Sequence, residues 1–138
     1  MFDVLDMGAS GLQAQRTRMD TIAQNIANAN TTRNAAGQPV PYRRRFALFA
    51  PGQPGAAEKP GVRVQEIKLD ESPFAKRFEP GHPDAIKTGP DAGYVLYPNV
   101  DLAVEYVNAL EASRAYEANV TMIEVSKSML NASLRLIA

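Results

Sequence analysis

The chain has 138 residues, enough for one domain of ordinary size, with 15 basic and 15 acidic side chains and a formal net charge of zero. A balanced charge gives no general pull toward nucleic acid or an anionic membrane. With no cysteine in the chain, disulfides, thiolate metal sites and a cysteine nucleophile are excluded.

Met1 to Asp6 carry acids where a cleaved secretory signal carries Lys or Arg, and no segment approaches the ~20 apolar residues of a membrane span. Neither a cleaved leader nor membrane insertion is therefore expected. Leu5, Leu12, Met19 and Ile26 then recur at heptad spacing, with Ile22, Ala23 and Ala29 beside them. This period predicts a helix from Phe2 to about Asn30, on the order of 40 Å long. Gly8 and Gly11 sit in its first turns, where each costs about 1 kcal/mol relative to alanine. Close approach of another helix is one use for them; the consequence is a helix that holds poorly alone. Asn28, Asn30, Thr31, Thr32 and Asn34 mark its end, because such side chains compete for backbone hydrogen bonds. Asn25, Asn28 and Thr32 share one side of that end. They read either as solvated terminal groups or as amides that fix register against a neighbouring helix.

Residues 33–98 hold all 10 prolines. Short β runs are expected at Tyr42 to Phe49, Gly61 to Leu69 and Tyr94 to Tyr97, forming a unit of about two to four strands. The alternation of Val62, Val64 and Ile67 is broken by one residue, as a bulge would break it. Pro51 to Pro60 reads as a flexible loop, and Pro80 to Asp84 and Thr88 to Asp91 as turn-rich links. Arg43, Arg44 and Arg45 alternate faces of a strand, which favours a basic strand facing solvent or acidic neighbours in an assembly over a nucleic-acid patch. His82-Pro83-Asp84 matches the tripeptide of J-domain co-chaperones, but the preceding Pro80 and Gly81 favour a simple turn. A lone histidine without cysteine leaves no credible transition-metal site.

From about Asn99 to Ile137 the helical period returns without Gly or Pro, over roughly 55 Å. Asn99 or Asp101 is placed to cap its start, with Glu105 near the positive end of the helix dipole. Leu102, Ala109, Tyr116, Ile123, Leu130 and Ile137 form a heptad row that Tyr106, Val120 and Leu134 widen. A seam of that kind must be buried against other helices. The spacing of Glu111, Arg114 and Glu117 lets Arg114 bridge two carboxylates along one face. Glu111 and Glu117 as a catalytic pair lack a pocket and a nucleophile. Phosphate loops, hydrolase elbows and Cys–His sets are also missing from the sequence, so neither an enzyme nor a cofactor is expected.

The fold expected is mainly α with a small β-rich central region. An N-terminal assembly helix occupies 1–32, a turn-rich β unit 33–98 and a C-terminal assembly helix 99–138. The long terminal helices are expected to pair as a coiled-coil-like hairpin.

Ala23-Gln24-Asn25-Ile26-Ala27-Asn28-Ala29-Asn30-Thr31 resembles the N-terminal signature of bacterial flagellar rod and hook proteins. Ser113-Arg114-Ala115-Tyr116-Glu117-Ala118-Asn119, with Met129 downstream, resembles the C-terminal signature of the same family. Pro80 to Ala85 and Gly93 to Val100 are similar to motifs of its proximal-rod members, and the length is similar too. The resemblance implies a structural protein of the basal body, exported by the flagellar type III apparatus without signal cleavage. Assembled in the periplasm, it would form part of the proximal rod, the drive shaft. Its implied partners are other rod subunits, further copies of itself and the export machinery.

Assembly is then expected to run through the two seams. On the first helix the interface residues are Leu5, Leu12, Met19, Ile22, Asn25, Ile26, Asn28 and Asn30. On the second they are Tyr106, Arg114, Tyr116, Glu117, Asn119, Val120, Ile123, Leu130, Leu134 and Ile137. Ordering two long helices in isolation must offset about 1–2 kcal/mol of backbone entropy per residue. Folding on assembly is therefore expected, with the ends largely disordered in the dilute monomer. The alternative is a cytoplasmic coiled-coil adaptor or export chaperone. An RNA-binding protein led by Arg43 to Arg45 ranks third.

Overall fold

A computed structural model describes residues 2–137, with side chains described for residues 3–135. In chain order the elements are α1 (Phe2–Ala27), β1 (Arg45–Pro51), β2 (Val62–Leu69), β3 (Ala75–Phe78), β4 (Tyr94–Tyr97) and α2 (Leu102–Ile137). The protein is mainly helical, with a small β part between two long terminal helices that pack together.

Helix α1 unwinds where its sequence turns to asparagine. The Gln24 carbonyl accepts both the Asn28 N–H at 3.1 Å and Asn28 Nδ2 at 2.9 Å, and the Thr31 hydroxyl donates to Asn28 Oδ1 at 3.2 Å, so the Asn28 side chain bonds locally at the helix end. Of the two possible caps for α2, Asp101 serves. Its Oδ1 accepts from the backbone N–H of Ala103 at 2.9 Å and of Val104 at 3.4 Å. The helix is continuous from there to Ile137.

The two helices run antiparallel, as three pairings show. Asn25 meets Glu105, Arg18 meets Glu111, and Gly8 lies against Ile123. The closest approach runs through the glycines. A Cβ on Gly8 would lie 2.6 Å from Ile123 Cγ1, and one on Gly11 would lie 2.9 Å from Asn119 Nδ2. The use foreseen for both glycines is the one they have.

The β segments form two separate two-stranded antiparallel sheets, β1 with β2 and β3 with β4. In the first the register jumps between Leu48 and Phe49, which face Glu66 and Val64 and leave Gln65 as the extra residue. This is the bulge that the broken alternation predicted. The strand β3 was not foreseen. Ala75-Lys76-Arg77-Phe78 carries two consecutive cations and is exposed throughout, so it lacks the apolar alternation that marks a strand. Pro51 to Pro60, read as a flexible loop, is a bonded turn. Gln53 and Ala56 exchange two 3.0 Å backbone bonds, and Gly52 takes φ 105° where a Cβ would lie 2.5 Å from the Ala57 carbonyl oxygen.

Little of the apolar content is enclosed. Among the described residues the buried hydrophobic side chains are Ala14, Ile22, Ala29, Val95 and Ala112, mostly small. The 15.0 kDa chain exposes 9244 Å², against roughly 7,000 Å² for a compact monomer of that mass.

Candidate assembly interface

The two helices, the start of β1 and the segments after β2 and β4 meet at one polar node. Asn25 and Glu105 are each 0% exposed. The Asn25 amide pairs with the backbone of Arg45 much as a strand would: Nδ2 donates to the Arg45 carbonyl at 2.7 Å, and Oδ1 accepts from its N–H at 2.9 Å. The second Nδ2 hydrogen reaches Glu105 Oε2 at 3.0 Å, and the Tyr42 hydroxyl donates to Oδ1 at 3.0 Å. All four hydrogen-bonding positions of the amide are filled. Burial, the largest influence on the Tyr42 phenol, raises its pKa.

Glu105 keeps its place near the start of α2, but its carboxylate turns inward and accepts from Arg44 Nε at 2.7 Å. Arg44 also reaches Asp70 Oδ2 at 3.2 Å. Burial works against the Arg44 charge, yet the bonds and attraction from Glu105, then Asp70, raise its pKa. Asn99, not used as a cap, accepts from the Arg44 N–H at 2.9 Å and donates to the Asp70 carbonyl at 3.0 Å. Arg43 donates to the Asp70 and Ser72 carbonyls and stacks 4.3 Å from the Phe74 ring centre.

The arginine run is thus corrected from a strand facing outward. Arg43 and Arg44 are spent on groups of their own chain, while Arg45 alone of the three is exposed. The alternation rule failed because Arg43 and Arg44 precede β1.

A second junction holds the chain after α1. Asp84 accepts from the Thr32 hydroxyl at 2.8 Å and from Arg33 Nε at 2.7 Å. The Asp84 backbone N–H donates to His82 Nδ1 at 3.1 Å. The turn reading of His82-Pro83-Asp84 fits this geometry.

The expected interface residues divide by environment. Ile22 and Asn25 are buried within the chain. Leu5, Leu12, Met19, Ile26 and Asn28 are half-buried, and Asn30 is exposed. On α2, Tyr116, Asn119, Val120, Ile123 and Leu130 are half-buried, whereas Arg114 and Glu117 are exposed. Tyr106 and Leu134, expected to widen the seam, are 60% and 57% exposed. Tyr106 points about 100° around the helix from buried Glu105, and Leu134 lies beyond the stretch that α1 covers. Ile137's side chain lies outside the described residues. The Arg114 bridge is also corrected: Glu111 pairs with Arg18 across the helices at 2.6 Å, and Arg114 has no ion pair among the described residues.

A second apolar stripe on α2 was missed. Val104, Val107, Met122, Val125 and Met129 are 38–67% exposed and fall on one side, at whose edge the Met122 methyl still reaches Gly8 of α1. The stripe is legible as i, i+3, i+7 spacing in Met122, Val125 and Met129, but the stronger heptad row beside it masked it.

The N-terminal helix matches the family model described as flagella basal body rod protein over residues 5–33. The C-terminal region matches the model of the flagellar basal body rod FlgEFG protein C-terminal over residues 91–136. A flagellar basal-body rod protein FlgC from Borreliella burgdorferi is 41% identical over 150 residues, covering 99% of this chain and 97% of the relative. The FlgC of Yersinia enterocolitica is 41% identical over 138 residues, with the same coverage. That of Bacillus subtilis is 38% identical over 149 residues, covering 98% of this chain and 97% of its own. The chain belongs to the FlgC family of flagellar basal-body rod proteins.

As a FlgC-family member it is a structural rod subunit and not an enzyme, and the adaptor or chaperone alternative is not favoured. No described helix is long and apolar enough to cross a membrane. The family's two signatures coincide with the node and the helix contact. Asn25 binds Glu105, and Asn119 lies against Gly11.

Proposed function

We propose that this subunit builds the proximal rod by polymerising through its terminal helices, with further copies of itself and with other rod subunits. It reaches the periplasm through the flagellar type III export machinery, without a cleaved signal. The observation that carries this reading is the surface the chain leaves open. Its exposed area exceeds that of a compact monomer by roughly 2,000 Å², while one partner's share of a standard interface is about 800 Å². The excess leaves room for more than one neighbour, and the second stripe of α2 supplies apolar area for it. Head-to-tail contacts generate open helical structures, and torque would then pass through many helix contacts at once.

The test is a proteomic inventory of detergent-extracted hook–basal bodies from the source organism, beside a whole-cell fractionation. Peptides of this chain at levels comparable to known rod components support the reading. A chain abundant in the cytosol and missing from the basal bodies contradicts it.

A further inference from the structure

The chain has no cysteine and 5 methionines. Without thiols, its thioethers are the side chains that a peroxide oxidises most readily. Three of the methionines gather toward the end of the helix pair away from the polar node. Met7 and Met122 line a groove of ≈ 550 Å³ between α1, α2 and the β1–β2 hairpin, beside Gly11, Ala115 and Ala118. Met129 follows about two turns after Met122 on the same side of α2. The three are 40%, 38% and 66% exposed, whereas Met19 is half-buried and closer to Asn25.

Oxygen on these sulfurs changes what the face can be buried against. A thioether is soft and apolar and adapts to irregular neighbours; its sulfoxide is polar and chiral. The Met122 methyl lies 3.2 Å from the Cβ position of Gly8, at the close approach of the helices, so oxidation there also disturbs the pair. The groove already encloses an unpaired acceptor, Gln15 Oε1, which has no hydrogen-bond partner among the described residues. A sulfoxide brings a further acceptor and no donor, and burying an unpaired acceptor is unfavourable. Exposed Val125, between the two methionines of α2, keeps the rest of that surface apolar.

We propose that Met122 and Met129 are oxidation sites, with hydrogen peroxide as the co-substrate, whose state decides whether a free subunit is incorporated. The thioether sulfur attacks one peroxide oxygen. An S–O bond forms and the O–O bond breaks; the sulfur gives up two electrons, and the other oxygen leaves as water. A subunit carrying the sulfoxides presents polar groups where neighbours must bury an apolar face, and it is passed over. Once neighbours cover the face the sulfurs are shielded, so the sites act in the free chain and not in the finished rod. This inference rests on the rod reading above and adds a condition on which subunits the rod accepts.

Leucine keeps the volume and apolarity of methionine without the sulfur. Cells lacking methionine sulfoxide reductases express the unsubstituted chain and full-length Met122→Leu/Met129→Leu together, told apart by mass. Rod assembly is held off by withholding another rod subunit during a hydrogen peroxide pulse, which catalase ends before assembly is allowed. Both chains share one cell, so damage to other components cancels in their ratio. In extracted basal bodies the ratio of variant to unsubstituted chain is expected to rise at least fivefold over unpulsed cells. An unchanged ratio overturns the proposal and leaves the rod reading standing. Absence of both chains from the basal bodies of unpulsed cells overturns the rod reading, and the inference with it. A second measurement needs no variant. After the pulse, sulfoxide at Met122 and Met129 should be at least fivefold scarcer in newly incorporated chains than in the remaining free pool. Equal fractions in the two pools overturn the proposal.

Discussion

Asn25 and Glu105, 80 positions apart in sequence, share a 3.0 Å hydrogen bond between the two terminal helices, with neither side chain reaching solvent. The bond fixes the helix register at the end where the chain enters and leaves the β region. It also sets the terms on which a carboxylate is tolerated there. An enclosed charge is costly unless its oxygens are supplied with donors, and here Arg44 and Asn25 take one each.

Removing either donor should therefore hurt more than removing the whole group. Arg44→Met is expected to lower stability by about 3 kcal/mol, because it strands the carboxylate. Asn25→Ala, which unpairs Tyr42, Arg45 and Glu105 together, should lose about 2–4 kcal/mol. In the double variant Arg44→Met/Glu105→Leu much of the first loss should return. Urea unfolding of these three variants, of Glu105→Leu alone and of the unsubstituted chain measures this. Additive losses would show that the pair is not coupled.

The glycines of α1 set two effects against each other. Alanine at Gly8 gains about 1 kcal/mol of helix propensity. The new Cβ must also displace Ile123, whose Cγ1 would be only 2.6 Å away, and overpacking of that kind costs about 1–3 kcal/mol. Packing should win in the whole chain. Gly8→Ala is expected to lower the melting temperature of the protein while raising the helicity of a peptide covering residues 2–27. A rise in both would mean that the helices do not approach as described.

The junction at Asp84 makes one contribution to stability pH-dependent. Its hydrogen bond from Arg33 is the main cause that lowers the carboxyl pKa below the ordinary 3.8. A group whose folded pKa is depressed stabilises the fold fully above its unfolded value and loses that contribution as pH falls through the folded one. Asp84→Asn should thus be less stable than the unsubstituted chain at pH 7, and the difference should shrink below about pH 4. Urea midpoints at pH 7 and pH 3 decide it; a gap that stays constant would place the effect elsewhere.

The node also predicts an uneven monomer. From Asn25 and Glu105 to about Ser10 the polar bonds and the β1–β2 hairpin hold the helices, the last hold being the Val62 N–H on the Ser10 hydroxyl at 3.2 Å. Before Gly8 and beyond Ile123 they have little but each other. Backbone entropy of about 1–2 kcal/mol per residue then favours fraying at the distal end until neighbours arrive. Hydrogen exchange of the dilute monomer should find protection around residues 20–27 and 105–112, with fast exchange before Gly8 and after Ile123. Uniform protection along both helices would contradict folding on assembly.

What was legible in the sequence follows from what sequence periodicity encodes. Heptads gave the helices and their pairing, a broken alternation gave the β2 bulge, and two glycines in a helix gave the close approach. Of the helix-end amides only Asn25 bonds the other helix, at Glu105, while Asn28 bonds its own helix end and Thr32 meets Asp84. Pairings between distant polar residues were not legible. Nothing about Glu105 in a first helical turn distinguishes a solvated carboxylate from one that meets Arg44, 61 positions away. The inward course of Arg43 and Arg44 was hidden for the same reason, since strand alternation says nothing of residues just before the strand. Asp84 showed a turn, while its partners Thr32 and Arg33 lay in what looked like a helix end.

The account turns on the outer stripe of α2 being a surface for neighbours rather than part of the fold. Val125, 53% exposed and clear of the node, separates the two. The first measurement is the amount of Val125→Asp in extracted basal bodies, with circular dichroism of the purified monomer beside it. The account predicts an unchanged spectrum and incorporation reduced at least tenfold, with motility lost. Normal incorporation of a chain carrying a carboxylate at that position would contradict it.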